Sequence, residues 1–500
     1  MFLETVLILT ISLLLYIFLY YKHCFTYWSK RNVETLPPKI PLGNITLDFF
    51  KGSSFLVFAD VYRYFKSKKK CKYFGFYTLF RPVFVPTDTE LIKKILITDF
   101  QHFTDRASYC NEEVEPLSAN LFSLKGEKWK YMRTRLTPTF TSGKLKYMFH
   151  TILDCAREIS TTLDKIIIQK EPVNIQELMY KFSINVIGST AFGLDIDCFN
   201  NPNTEFKYHG LRVFNKDISR RILFFIELFF PKLLFLFRVN FVKVPRDTTE
   251  FFFKIVKDMV NYRESNNAKR NDFMQLLIEL KNDKTKGEFT MDQITAQSFI
   301  FILAGFETSS TLSKFLMYEL ALNPEIQNRV REEIITVLKE FDGNVTYEAV
   351  SKMRYLEMCV CEAARKYPAL PVLTRVCCKN YKIPDTDIVI EKGTVVLVPV
   401  QGIHYDPEYY PEPEKFDPER FSEENKKNMI SCTWLPFGDG PRNCIGLRLG
   451  LLQSKIAIIS LLRNHSFSLN SKTNQPLKFQ VKGVVLNVDG DVYLNAQKLS

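Results

Sequence analysis

One cysteine in this chain sits where a thiolate would be held still. Cys444 lies in Phe437-Gly-Asp-Gly-Pro-Arg-Asn-Cys-Ile-Gly446, a glycine-rich turn that runs into a helix-like stretch, Leu447-Arg-Leu-Gly-Leu-Leu-Gln-Ser454. Gly438, Gly440 and Gly446 permit backbone angles and close approaches that a Cβ would block. Such a turn aims main-chain N–H groups at the sulfur, and the N-terminus of the following helix favours its negative charge. Arg442, two residues earlier, is placed to pair with an anionic group on whatever the sulfur binds. A fixed thiolate beside an arginine suits haem iron, where an axial cysteine pushes electron density toward O–O cleavage. The plain alternative is a buried free thiol in a loop, which is how most free cysteines behave.

A second set of residues shares a helix face. Ile300, Ala304, Glu307, Thr308 and Thr311 recur at i, i+4, i+7, i+8 and i+11. Ala304-Gly305 leaves a low wall for a flat ligand, with an acid (Glu307) and a hydroxyl (Thr308) beside it. Cleaving dioxygen at haem consumes protons, and an acid–alcohol pair with water can relay them. Taken singly, a mid-helix threonine usually just bonds a carbonyl one turn back. Glu362-Ala-Ala-Arg365 is an i, i+3 acid–arginine pair, in isolation a weak surface ion pair. Trp129 and Arg133, at i, i+4, read in isolation as a cation–π pair. His404, in Gly402-Ile-His-Tyr-Asp-Pro407, reads as a polar contact in a turn, and none of the six histidines stands in a ligand motif. That leaves Cys444 as the better axial ligand.

These motifs together resemble the cytochrome P-450 family. Phe437, Gly438, Gly440, Arg442, Cys444 and Gly446 match its haem-ligand signature, and Ala304-Gly-Phe-Glu-Thr-Ser309 resembles its oxygen-activating helix. The resemblance implies an iron protoporphyrin IX (haem b) on the Cys444 thiolate, with Ala304 and Phe437 beside it. It implies that Trp129, Arg133, Arg375 and Arg442 hold the propionates, and that Thr308 and Glu307 relay protons. It makes Glu362 and Arg365, completed by Arg420 of Pro418-Glu-Arg-Phe421, a structural ion triad rather than catalytic groups. Substrate-lining positions carried over from the family are Leu121, Phe122, Ile300, Ala304, Val372, Leu373, Val484 and Val485. The likeness is finest to insect microsomal members of the xenobiotic-metabolising type, through Ala296-Gln-Ser-Phe-Ile-Phe-Ile-Leu-Ala-Gly-Phe-Glu-Thr-Ser-Ser310.

The elements that must hold these groups are mostly helical. Periodicity from Leu145 to Leu338 is helical, as is Thr89 to Leu96. Residues 73–87 read as two short strands turning at Arg81-Pro82, residues 376–400 as a second β-rich patch, and Val484 to Leu494 as a hairpin turning at Asp489-Gly490. The expected fold is therefore mainly α with small peripheral β-sheets, the P-450 fold on the resemblance, with no internal repeat. Residues 2–21 form an apolar stretch long enough to span a bilayer, with Glu4 its only charge. Residues 22–45 follow as a basic, proline-rich linker, and 46–500 as one catalytic domain. Lys22, Lys30 and Arg31 place the chain beyond the span on the cytosolic side of the endoplasmic reticulum, with Tyr20, Tyr21, Tyr27 and Trp28 at the lipid interface. The phenylalanine-rich stretch 221–242, interrupted by Pro231, is either two core helices or an apolar surface that dips into lipid.

Composition narrows the rest. Eleven scattered cysteines, an odd number, argue against a disulfide framework and for a reducing compartment. A net charge of +12 without a long basic run fits an anionic membrane and an acidic partner better than nucleic acid. The expected protein is a membrane-anchored haem-thiolate monooxygenase inserting one oxygen atom from O2 into an apolar small molecule. Its electrons come from NADPH through a cytochrome P-450 reductase, with cytochrome b5 a further partner. The alternatives are a reductase-independent haem-thiolate isomerase or dehydratase, and a non-catalytic haem carrier or gas sensor.

Overall fold

The structure, a computed structural model, describes residues 2–45, 56–214, 244–270, 272–283, 289–482 and 485–499. The stretch 221–242 and the pocket position Val484 lie outside the described residues. Helices dominate, and the strands collect into small sheets, as the periodicity predicts.

The N-terminal helix α1 (Phe2–Cys24) leaves its side chains exposed except buried Tyr21 and half-buried Cys24. Its end docks on a hairpin of β1 (Tyr73–Thr78) and β2 (Arg81–Pro86). Tyr20 and Tyr21 meet Phe80 edge-on at 5.4 and 5.6 Å, and Phe25 meets Tyr77 at 5.2 Å. Trp28 does not lie at an interface, as its composition-based placement had it: it is 1% exposed. Its indole Nε1 donates to the Phe76 carbonyl at 3.2 Å, and its ring fills a slot left by Gly75, where a Cβ would stand 2.4 Å from the indole. The glycine opposite makes the difference, because a buried indole with a satisfied N–H contributes a large apolar area. The segment expected as a linker continues along this sheet, through bridges Thr35 to Gly75 and Gly43 to Thr78.

Two turns fall elsewhere than expected. The β1–β2 turn is at Leu79-Phe80, not Arg81-Pro82, since Thr78 pairs with Arg81 and Tyr77 with Pro82. Pro82 is tolerated there because β2 pairs with its other neighbour, β7 (Val395–Val398), only at Val83 and Phe84, so no ladder N–H is lost. Asp489-Gly490 does not close a hairpin. β10 (Val485–Val488) pairs back onto β9 (Phe479–Lys482), while β11 (Tyr493–Lys498) joins β3 (Val173–Asn174) and β8 (His465–Leu469). Gly490, at φ +95°, thus turns the chain from one sheet into another, with Val492 and Leu494 buried on the helical core. The largest sheet has the order β1-β2-β7-β4, with β4 Leu373–Val376 and β7 Val395–Val398. A short pair, β5 (Tyr381–Lys382) and β6 (Val389–Ile390), completes the β-rich patch.

The helices that build the site are α2 (Gly126–Leu136), α3 (Ser142–Ile168), α4 (Ile175–Ile187), α5 (Met291–Leu322), α6 (Arg354–Lys366) and α7 (Leu447–Leu462). α5 starts at a capping box, in which Thr290 accepts from Gln293 N and the Gln293 side chain accepts from Thr290 N, both at 3.2 Å. It then runs through the centre of the molecule, and Pro324 opens the next helix just past its end. α3 buries Leu145, Met148, Phe149, Ile152, Ala156, Ile159 and Leu163, one stripe at helical spacing. That stripe joins α4, α5, α6 and α7 in the main core.

Candidate active site

The cysteine loop is shaped by two glycines. Gly438 and Gly440 have φ of +67° and +70°, and a Cβ on Gly440 would lie 1.9 Å from the Leu96 carbonyl oxygen, so only glycine fits. Cys444 N–H donates to Phe437 O at 2.8 Å, which closes the loop two residues before Gly446 caps α7. The sulfur opens onto interior space yet is surrounded by protein. Burial raises its pKa, opposed by the Gly446 N–H, Arg106 and Arg133. Cys444 is also set apart among the cysteines, because the other ten are half-buried or buried thiols.

Four arginines gather near this loop. Arg133, on α2, donates to Asn443 O at 2.9 Å and to Asn443 Oδ1 at 2.8 Å, and so braces the residue next to Cys444. Arg442 lies over the Trp129 ring at 4.6 Å, so the cation facing that indole is Arg442 rather than Arg133. Arg106, which the sequence reading missed, donates to Arg442 O at 3.0 Å and covers the Phe122 ring at 4.2 Å. Arg375 donates to Thr374 O at 2.9 Å, and Arg442 donates to Leu124 O.

Arg106, Arg375 and Arg442 repel one another in a dry place. Burial, then its arginine neighbours, push Arg442 down to about 8 and Arg375 to about 9, and burial first pushes Arg106 to about 10. Arg375 Nε and Arg442 Nε and Nη1 are buried without a hydrogen-bond partner. Guanidinium groups do not deprotonate under ordinary conditions, so this arrangement is stable only with an anion among them. A dianionic cofactor with two carboxylates beside the Cys444 sulfur fits both the charge and the orphaned donors.

On α5, Ala304 is open and Thr308 half-open, with the Thr308 hydroxyl donating to Ala304 O at 2.6 Å. Gly305 does not form part of this wall: a Cβ there would reach Ile187 of α4 at 2.3 Å, so the glycine serves close helix packing. Glu307 is closed off from solvent. It is 1% exposed, and its Oε1 accepts from the Tyr180 hydroxyl of α4 at 2.9 Å. Asn487 of β10 donates to Tyr180 Oη at 3.3 Å, and Lys314 donates to Asn487 Oδ1 at 2.6 Å. None of Tyr180, Asn487 and Lys314 carries a local motif that marks it.

The ion triad assembles behind the cysteine loop. Arg365 grips Glu362 with Nε to Oε2 at 2.7 Å and Nη2 to Oε1 at 2.8 Å, both side chains being fully buried. Arg420 Nε stands 3.5 Å from Glu362 Oε1. Arg365 Nη1 also donates to the His404 carbonyl at 2.7 Å. His404 in turn donates from Nδ1 to Arg365 O at 2.8 Å and accepts from Leu435 N at Nε2 at 2.9 Å. Burial and Arg365 press its pKa down to about 3, so it is a neutral tie to the loop entering the cysteine turn. Of the pocket positions, Leu121, Leu373 and Val485 are buried, Phe122 and Ile300 are half-buried, and Ala304 is open. Val372 packs toward the β1–β2 side of the large sheet.

The comparisons agree with this architecture. The family model for cytochrome P450 matches residues 50–494. The chain is 40% identical to probable cytochrome P450 6a14 of Drosophila melanogaster, over 95% of this chain and 96% of that one. It is 40% identical to cytochrome P450 6a2 of Drosophila melanogaster over the whole of both chains, 100% and 100%. Identity to cytochrome P450 6k1 of Blattella germanica is 38%, over 98% of this chain and 97% of that one. The chain belongs to the cytochrome P450 family. It is accordingly a monooxygenase that carries haem on a cysteine thiolate and takes electrons through a reductase.

Proposed function

We propose that this protein is a membrane-anchored monooxygenase that uses NADPH-derived electrons to oxidise apolar small molecules. The substrates are foreign compounds such as insecticides or plant toxins, or endogenous hormones or lipids. The observation that carries the reading is the exposed Cys444 thiol in a loop that also holds Arg442, with Arg375 and Arg442 buried and several of their N–H groups without a partner. Haem, when bound, supplies the iron at which dioxygen is activated for transfer of one atom to the substrate.

In this reading Cys444 would supply the thiolate that holds the haem iron, and Trp129, Arg133, Arg375, Arg442 and Arg106 would hold the propionates. The open Ala304 and the Phe437 side of the turn would pack against the haem. Thr308 holds a proton donor at the oxygen side, and Glu307 supplies protons to it. Glu362, Arg365 and Arg420 keep the cysteine loop in place. The exposed apolar face of α1 supports an anchor in the endoplasmic-reticulum membrane with the catalytic domain on the cytosolic side. The net charge of +12 suits a cytochrome P-450 reductase, and cytochrome b5, as acidic partners.

The test is reconstitution of full-length protein with NADPH and a P-450 reductase in phospholipid, after a spectral binding screen of plant toxins, insecticides, fatty acids and steroids. Reductase-dependent incorporation of one oxygen atom into a screened ligand is the expected result. Turnover of a peroxide without reductase would favour the isomerase, and haem binding with no oxygen uptake would favour the carrier.

A further inference from the structure

We propose that Tyr180 is a positioning residue for oxygen activation: from α4 it holds the buried Glu307 carboxyl in place as a hydrogen-bond acceptor. The proposal rests on the reading of Glu307 as the source of protons, and extends it to what governs that group.

The buried hydrogen bonds point one way. Lys314 Nζ donates to Asn487 Oδ1 at 2.6 Å, Asn487 Nδ2 donates to Tyr180 Oη at 3.3 Å, and Tyr180 donates to Glu307 Oε1 at 2.9 Å. Asn487 Oδ1 also accepts from Val488 N at 2.9 Å, so its amide cannot turn over without losing two bonds. Tyr180 Oη therefore receives an N–H, and its own proton is left for the carboxylate. Burial and Glu307 raise the Tyr180 pKa above the ordinary phenol value, which makes the hydroxyl a standing donor. Its ring is fixed edge-on to Phe306 at 6.2 Å. An amide interrupts the chain, so the network holds a proton inventory in place and does not conduct. Among the charged groups near the pair are Lys314 on α5, which also donates to Gln176 Oε1 at 3.1 Å, and Glu177 on α4, itself paired with Lys207 of helix Glu205–Phe214.

Hydrogen bonding to the charged form favours that form. Asn487 sits on β10, whose first residue, Val485, is a pocket position, so the hairpin beside the substrate and the acid of the relay share one tyrosine.

The experiment uses full-length, haem-loaded Tyr180→Phe, which keeps the ring and removes only the donor. The first readout is an infrared pH titration of the Glu307 carboxyl stretch, assigned by its loss in Glu307→Gln. Losing a hydrogen bond to a charged group is expected to raise the titration midpoint by about one to two pH units. The second readout is product formed per NADPH consumed as a function of pH, whose limb moves by the same amount while KM stays put. An unmoved infrared midpoint overturns the proposal even if activity changes. If Glu307→Gln leaves the coupling profile as it was, the proton-source reading fails, while the infrared shift still decides the positioning claim. Should Tyr180→Phe not take up haem, Asn487→Ser removes the bond behind the hydroxyl, with a smaller shift of the same sign expected and no shift overturning the proposal.

Discussion

Replacing Arg442 by methionine should stabilise the haem-free protein while weakening its grip on haem. In the absence of an anion the Arg442 guanidinium is buried beside Arg106 and Arg375, with Nε and Nη1 unanswered. Its pKa is pressed from the ordinary guanidinium range down to about 8 by burial and then by those neighbours. At 1.36 kcal/mol for each pKa unit, that is a ceiling of about 6 kcal/mol for the cost of keeping the charge there. Methionine is apolar, flexible, and suited to the Trp129 ring that Arg442 now covers at 4.6 Å. Exchanging buried charges for apolar side chains of similar volume commonly stabilises by about 1–4 kcal/mol, the gain expected here for haem-free Arg442→Met in urea unfolding. The haem-loaded form should lose a hydrogen bond to a charged group, worth about 1.5–3 kcal/mol, and release haem to an acceptor protein about 10- to 100-fold faster. A lower urea midpoint for the haem-free variant would refute the reasoning, since it would mean that Arg442 is satisfied by protein groups. Unchanged haem release would remove Arg442 from the propionates.

Cys444→Ser should abolish the red-shifted carbon-monoxide difference band of thiolate-ligated ferrous haem, and a full-intensity band would exclude Cys444 as the ligand. Thr308→Ala should bind haem and substrate normally but form less product per NADPH and more hydrogen peroxide, whereas unchanged coupling would route protons elsewhere. Arg365→Met strands a fully buried Glu362 and should cost about 3–5 kcal/mol in urea unfolding of the haem-loaded protein. Arg420→Met, whose contact is 3.5 Å and leaves Arg365 in place, should cost about 1–2 kcal/mol, so equal costs would contradict the observed geometry. The acceptor patterns at Asn344 and Asn464 are exposed and should remain free of glycan in the native protein, as a glycosidase-sensitive mass shift would reverse the topology. Asn44 is uninformative in that assay, because its amide is committed to Leu36 O and Tyr77 N at 2.8 and 2.7 Å.

What the sequence made legible was local. The glycines around Cys444, the helix spacing from Ile300 and the Glu362–Arg365 pair all signal within a dozen residues, and the structure builds a turn, a helix and an ion pair there. Features that depend on which distant segments meet were not legible. Arg106 carries no motif, and its role comes from lying against Arg442 and Phe122. Glu307 was read beside Thr308 because helical spacing places both near one face. The carboxyl also accepts a hydrogen bond from Tyr180, and nothing local to Glu307 announces that partner. The hairpin at Asp489-Gly490 was a sound local inference defeated by tertiary pairing, since β9 and β8 claim the two strands separately. Position beside an apolar span marks Trp28 as an interface aromatic, while the slot it fills is created by a glycine far along the chain.

That slot sets where the chain tolerates being cut. A protein shortened to begin at Phe25 would lose α1 but retain the indole under Gly75, and its sheet would keep its backing. One shortened after Arg31 would empty a hole the size of a tryptophan ring, a loss comparable to a large-to-small core substitution at about 3–5 kcal/mol. Soluble versions designed by hydropathy alone, with the cut placed wherever the apolar run and its aromatic fringe end, would fall on the wrong side of that boundary.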